Sequence, residues 1–283
     1  MDKTQNREPR QRRRRPQQAR GAPMRIAKAL ARAGLCSRRE AEQWIAQGRV
    51  SVDGVTLASP AREVTLREEI LVDGRPLPAP VAARLWRYHK PRGLVTTHRD
   101  PQGRPTVFAT LPSDLPRVIS VGRLDINSEG LLLLSNDGML ARHLELPATG
   151  WVRRYRVRAH GTITQAALDE LKSGITIAGV HYGPIEAVLE KPQGSNVWLS
   201  IGLREGKKRE VRTVLDHLGL TVNRLIRVSF GPFQLRDLPP GAVEPIKRRV
   251  LVEQLGPSMA KTLGLIEPAP RPGERGSRRG SHG

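Results

Sequence analysis

Cysteine is almost missing from this chain: Cys36 is the one thiol in 283 residues. A single cysteine excludes an internal disulfide and any zinc site built on several thiolates, and it reads as a small buried side chain. Aromatic residues make up only 4%, although a hydrophobic fraction of 38% is enough for a core. No apolar run approaches the eighteen or so residues of a membrane span. The opening "MDKTQNREPRQRRRR" has no signal-peptide apolar segment, so a soluble cytoplasmic protein without membrane association is expected. No Walker-type glycine-rich run and no dinucleotide-binding fingerprint occur. The seven histidines, at 89, 98, 143, 160, 181, 217 and 282, form no i, i+4 pair and no carboxylate spacing that implies zinc. No metal and no cofactor are expected. A Ser-His-Asp triad has no G-x-S-x-G elbow behind it, although its members need not be near one another in sequence.

Acidic residues are also scarce. Lys and Arg number 48 against 27 Asp and Glu, a formal charge of +21 with a pI near 11.4. Such a balance points to a polyanion partner, nucleic acid before membrane. Residues 1–23 carry a net +6 and residues 268–283 a net +3, which leaves +12 on the middle of the chain. Both ends are Arg-, Pro- and Gln- or Gly-rich without apolar periodicity, as in basic arms. The expected organisation is a disordered arm over 1–23, a small domain over 24–82, a larger one over 83–255 and a flexible basic tail over 256–283.

Within 24–82, "RIAKALARAGL" places Ile26, Leu30 and Ala33 on one helical side and stops at Gly34. "SRREAEQWIAQG" opens with Ser37 and Glu40 in capping-box spacing and closes at Gly48. "RVSVDGVTL" and "ILVDGRPL" each predict a strand, an Asp-Gly turn and a strand. In the larger domain, "RVISVG" predicts a strand, "RLDINSEG" a loop and "LLLLSNDG" an apolar strand entering a turn. "RRYRVRAHG" sets Tyr155, Val157 and Ala159 against Arg154, Arg156 and Arg158, a strand with one apolar and one basic face. "TQAALDELKSG" and "KKREVRTVLDHLG" read as helices, and "NVWLSIGLREG" and "RLIRVSFGPFQL" as strands. The mixture argues for α+β without a regular βαβ repeat.

Asp125 is the residue that this layout leaves unexplained. A loop aspartate beside Asn127 and Gly130 fits an ordinary turn. The chemical alternative is a lone carboxylate that attacks, or stabilises charge at, an anomeric carbon. Detaching a base from ribose without a second acid works best when the base is recaptured, which makes the reaction an isomerisation. The target must also leave its stack, and an enclosed carboxylate calls for a nearby cation.

"RIAKALARAGLCSRREAEQWIAQGRVSVDG" resembles the S4 RNA-binding domain. That resemblance implies that Lys28, Arg32, Arg38, Arg39 and Arg49 contact RNA phosphates, where unaided reading allows solvated helix faces. "GRLDINSEGLLLLSNDG", with "RRYRVR", "EGKKREVR" and "RLIRVSFGPFQL", resembles the RNA pseudouridine synthases that carry an S4 domain. "DPQGRPTVF" and "REVR" most resemble the ribosomal large subunit pseudouridine synthase B group. The resemblance implies an S4 domain followed by a mixed, mainly antiparallel catalytic sheet. It further implies that Asp125 is the catalytic group and that Tyr155 stacks on the target base. Arg212 would be the cation paired with Asp125, Leu225 an apolar contact closing the pocket, and Arg123 an RNA-holding residue. Unaided, Tyr155 also fits a core position and Arg212 a solvated helix charge, while Leu225 lies on the strand face opposite Ile226, Val228 and Phe230. The implied partner is 23S rRNA or a ribosomal assembly intermediate, met by a monomer. A 16S rRNA substrate or a non-enzymatic RNA-binding assembly role remains the alternative.

Overall fold

The computed structural model describes residues 23–266, which form two compact units divided between Pro80 and Val81. The first unit runs β1 (Met24–Arg25), α1 (Ile26–Arg32), α2 (Arg38–Ala46), β2 (Val50–Val52), β3 (Val55–Thr56), β4 (Glu63–Val64), β5 (Ile70–Val72) and β6 (Arg75–Pro76). The capping box at α2 forms as its spacing predicts. Ser37 Oγ accepts from the Glu40 amide at 3.1 Å, and the Ser37 amide donates to Glu40 Oε2 at 2.6 Å. Both Asp-Gly turns have positive φ at each central residue, at Asp53-Gly54 and Asp73-Gly74, which matches the twist of two-residue hairpins. The antiparallel sheet β3-β2-β5-β6 and the two helices enclose Ile26, Leu30, Cys36, Ala41, Ile45, Val50 and Val72.

The second unit begins with β7 (Leu85–Lys90), β8 (Ile119–Val121) and β9 (Glu129–Ser135), then α3 (Gly138–Glu145), β10 (Arg153–His160) and α4 (Gln165–Asp169). It continues with β11 (Ile175–Ile177), β12 (Val180–Tyr182), β13 (Ile185–Gln193) and β14 (Asn196–Leu203). The last elements are α5 (Glu210–His217), β15 (Thr221–Phe230), β16 (Phe233–Gln234), β17 (Val243–Pro245) and α6 (Arg248–Thr262). The large sheet has the order β13-β14-β10-β15-β9-β7-β17, with β16 on β15 and β8 on β9. Its pairs are antiparallel except β15 with β9, which run parallel over Ile226↔Glu129 and Arg227↔Gly130.

Alternation divides this sheet between two faces. Leu131 and Leu133 pack with Leu140, Phe230, Leu251 and Leu263. Leu132 and Leu134 pack with Trp86, Tyr88, Val118 and Leu124. The run of four leucines is therefore a strand buried on both sides, and no residue of β9 is exposed. Val157, Ala159, Leu199, Val211, Val214 and Leu215 form a further core beneath α5.

Three expectations need correction. "NDG" is the start of a helix: Asp137 caps α3 by accepting from the Met139 and Leu140 amides at 2.7 and 3.0 Å. The second unit does not end at 255. Residues 248–262 form two helical segments kinked at Gly256 before Pro257, and Ala260, Leu263 and Leu265 are buried in the core beside Leu140 and Phe230. The Gly-Pro pair looks like a domain end, but it only bends the chain back onto the sheet. The helix holding Arg212 starts at Glu210, after Arg209 takes a left-handed conformation (φ 54°), and not at Lys207. The two basic arms, apart from their innermost residues, lie outside the described residues.

Gly130 stands where β9 meets β15. Its φ is 105°, and a Cβ there would lie 2.4 Å from the Arg227 carbonyl oxygen. Gly130→Ala is therefore expected to lower unfolding stability by about 2–4 kcal/mol, read from a chemical-denaturation midpoint.

Candidate active site

β8 and β9 form an antiparallel hairpin whose connection spans residues 122–128, with Asp125 near its tip. A short polar connection leaves many backbone carbonyls without partners of its own. Here each carbonyl from Leu124 to Ser128 has a donor. The Thr96 hydroxyl donates to Leu124 O at 2.8 Å. The Ser128 amide donates to Asp125 O at 3.0 Å, and the Gly93 amide to Ile126 O at 2.8 Å. An Arg212 Nη2 donates to Asn127 O at 3.1 Å, and Lys90 Nζ to Ser128 O at 2.9 Å. Leu124 is buried and faces the core, while Asp125 is half-buried. The backbone is thus held from several sides and the carboxylate remains accessible.

Lys90, at the end of β7, is the residue that sequence reasoning missed. It is wholly buried, and its ammonium also donates to Pro91 O at 3.0 Å and Ile126 O at 3.5 Å. Burial pushes its pKa down to about 8, opposed by the charges of Asp125 and Glu129. The signal was present in the alternation of β7. Trp86, Tyr88 and Lys90 share a face, and the first two are core residues, so a lysine in third place is a buried cation.

Arg212 comes close enough to Asp125 to interact electrostatically, but the two form no ion pair at contact distance. Its guanidinium is committed to two carbonyls, Asn127 O and, at 3.0 Å, Val222 O, while its Nε is buried without a partner. Burial, then the nearby Arg209 charge, lowers its pKa below the usual arginine value; Asp125 opposes this, and Arg92 adds to it. The expected cation pair is a positioning contact through the loop backbone. Asp125 itself faces two desolvated cations, Lys90 and Arg212, without contact neutralisation.

Tyr155 is half-buried on β10 and touches the apolar clusters on both sides of the site. No hydrogen bond among the described residues engages its hydroxyl, and that oxygen is not buried. Leu225 is on the face opposite Ile226 and Phe230, as expected, but it is not free: it is 5% exposed and belongs to the core with Val157. Arg123 is exposed on the Asp125 loop. In the first unit, Arg38 and Arg39 are exposed and Lys28 and Arg32 half-buried. Arg49 is already occupied: it binds Asp73 through two bonds of 2.9 and 2.6 Å and lies 4.7 Å over the Trp44 ring.

The loop before α5 is tied by a carboxyl pair. The Glu205 carboxylate accepts from the Gly183 amide at 2.6 Å and pairs with Lys207, and Glu210 accepts from the Lys207 amide at 2.9 Å. Burial and the Glu205 charge raise the Glu210 pKa to about 7.

A half-buried carboxylate near two cations that contact only carbonyls, on a loop whose Leu124 shares a cluster with Tyr155, suits attack on an electron-poor carbon with a planar group held alongside. Residues 84–217 match the RNA pseudouridylate synthase family model, and residues 24–75 match the S4 domain. An uncharacterized RNA pseudouridine synthase of Rickettsia felis is 47% identical over 80% of this chain and 98% of its own. The chain belongs to the RNA pseudouridine synthase family. A ribosomal large subunit pseudouridine synthase B of Pseudomonas aeruginosa is 39% identical over 90% of this chain and 68% of its own. A solved pseudouridylate synthase superposes with a TM-score of 0.57 at 26% identity, covering 82% of this chain and all of that one. As a family member the chain is an enzyme acting on RNA, and its N-terminal unit is an S4 domain. No described helix is long and apolar enough to cross a membrane.

Two substitutions test this arrangement. Lys90→Met leaves the Pro91 and Ser128 carbonyls short of a donor. It is expected to cost about 1–3 kcal/mol in denaturant unfolding and to remove any fall in turnover above about pH 8 that the parent shows. A carboxyl raised on folding takes up protons, so Glu210 contributes stability that is full below the unfolded pKa and lost as pH rises through about 7. Glu210→Gln is therefore expected to flatten the pH dependence of the melting temperature between about pH 4.5 and 7 and to melt no lower than the parent at alkaline pH.

Proposed function

We propose that this chain isomerises a uridine of 23S rRNA to pseudouridine, with Asp125 as the catalytic group. The observation that carries the proposal is the loop from Leu124 to Ser128, whose carbonyls are all held while the Asp125 side chain is left accessible beside Lys90 and Arg212. Lys90 and Arg212 place positive charge near the carboxylate without occupying it.

The reaction is balanced within one nucleotide. The N1–C1′ bond of a flipped uridine breaks with Asp125 attacking, or stabilising, the electron-poor C1′. The detached uracil turns in place, C5 bonds to C1′ and releases the Asp125 carboxylate, the C5 proton leaves, and N1 regains a proton. Tyr155 supplies the ring on which the base lies, and its hydroxyl can move the C5 proton. Leu225 lines the pocket from below as part of the core, and Arg123 holds the RNA at the rim. Lys28, Arg32, Arg38 and Arg39 of the S4 unit hold neighbouring phosphates; Arg49 shapes that unit through Asp73 and Trp44. The large-subunit assignment draws on the name of the Pseudomonas aeruginosa relative.

Ribosomal RNA from a strain lacking the gene, treated with purified protein and mapped by carbodiimide and primer extension, tests the assignment. A new stop in 23S rRNA is expected. Asp125→Asn is expected to bind the RNA as the parent does and to produce no stop. Modification at the parent's level by that variant would remove Asp125 from the chemistry, and a stop in 16S rRNA instead would correct the substrate.

A further inference from the structure

The side of the large sheet that faces away from Tyr155 carries a feature the catalytic reading does not use. On β10, Arg154, Arg156, Arg158 and His160 point opposite to Tyr155, Val157 and Ala159. Beside them on β14 stand Asn196, Trp198 and Ser200, which alternate with buried Val197, Leu199 and Ile201. On β15 Arg224 shares the side of Ile226. The α3–α6 core covers this side near β9, through Leu131, Leu133, Ile226 and Phe230. Over β13, β14 and β10 it is open: Arg154, Arg156, His160, Val188 and Glu190 are all exposed.

The charges here are arranged around one uncompensated cation. Arg154 pairs with Glu186 at 3.2 Å, Arg156 with Glu190 at 3.0 Å, and Arg224 with Glu129 at 2.7 Å. The Arg158 side chain has no ion pair and no hydrogen bond among the described residues, and its Nε is buried without a partner. Its cross-strand neighbours are Arg224 on one side and Trp198 on the other. Glu129 neutralises Arg224, so of this cross-strand pair it is the Arg158 charge that is left for an anion from outside. Arg156 lies 4.4 Å over the Trp198 ring, a cation–π contact on the strand between Arg154 and Arg158. Successive residues on one face of a strand are about 6.6 Å apart, so the three guanidinium forks follow one another along β10. Such forks suit phosphate oxygens, which accept two parallel N–H donors.

We propose that this open face, centred on Arg158 and Arg156, is a second RNA-phosphate surface that grips RNA outside the catalytic cleft. It rests on the chain's action on RNA and not on which uridine is modified. The carboxylates of Glu186 and Glu190 occupy Arg154 and Arg156 until phosphate displaces them, so the face selects for a dense polyanion. Its consequence is a substrate that wraps around the unit and so must be a large folded RNA, in keeping with a ribosomal one.

The test is the salt dependence of binding by the full chain to in vitro-transcribed 23S rRNA, measured across a potassium chloride series. Arg158→Gln is expected to lower the slope of log affinity against log salt by about 1, and Arg156→Gln with Arg158→Gln by about 2. Glu190→Gln frees Arg156 and is expected to change binding in the opposite direction, with tighter binding. Circular dichroism melting identifies the variants that fold; Glu190→Gln, on an exposed strand position, keeps the test decisive if an arginine variant does not. Slopes equal to the parent's in folded variants, or unchanged binding by Glu190→Gln, overturn the proposal. Polyglutamate displacing the RNA in the parent but not in Arg158→Gln would assign the face to an acidic protein instead. Modification by Asp125→Asn would sink the catalytic reading and leave these slopes as they are.

Discussion

The site depends on the satisfaction of one short run of backbone. Five consecutive carbonyls, Leu124 to Ser128, lie at the tip of a hairpin that leads into a core strand, where Asp125 is half-buried. Carbonyls in such a place must find donors or remain hydrated. Their donors come from Gly93 and Thr96 before the hairpin, from Ser128 within it, from Lys90 at the end of β7 and from Arg212 on α5. Two of these are cations, so the contacts that hold the loop also set the field around Asp125. Preorganisation of the carboxylate and support of its charge are the same set of hydrogen bonds.

The surrounding architecture serves that loop. β9 is buried on both faces, which makes it a rigid base for the hairpin. β15 reaches its first two residues in parallel, at a separation that only glycine at 130 permits. The same strand, β15, carries Leu225 into the core under Tyr155, and its Val222 carbonyl takes the second bond of Arg212. A change at any of these points moves the loop before it touches the carboxylate. Gly130 and Thr96 thus belong to the same set of contacts as the charged residues around the loop.

Local pattern carried much of this. The alternation of β10, the capping box at Ser37 and the paired Asp-Gly turns are short-range devices, and each folds as its spacing predicts. The cationic face of β10 was legible too, but not that it turns away from Asp125. Lys90 was missed because lysine is ordinarily a surface residue; only its shared face with Trp86 and Tyr88 marks it as buried. The end of the second unit was misplaced because Gly256-Pro257 locally resembles a terminus. Leu263 and Leu265 show their importance only against a sheet whose strands stretch back to Leu85.

What the sequence determined by itself was composition, charge, strand alternation and the motifs that mark Asp125, Tyr155 and Arg212. All of these are encoded in neighbouring positions or in short ordered signatures. What only the tertiary structure decided was the company each residue keeps. Arg212 binds carbonyls and not the carboxylate, Leu225 is core, Arg49 is taken by Asp73 and Trp44, and Arg158 is left uncompensated. The reason is physical: hydrogen-bond partners and burial are set by packing between segments far apart in the chain, and no local periodicity records them.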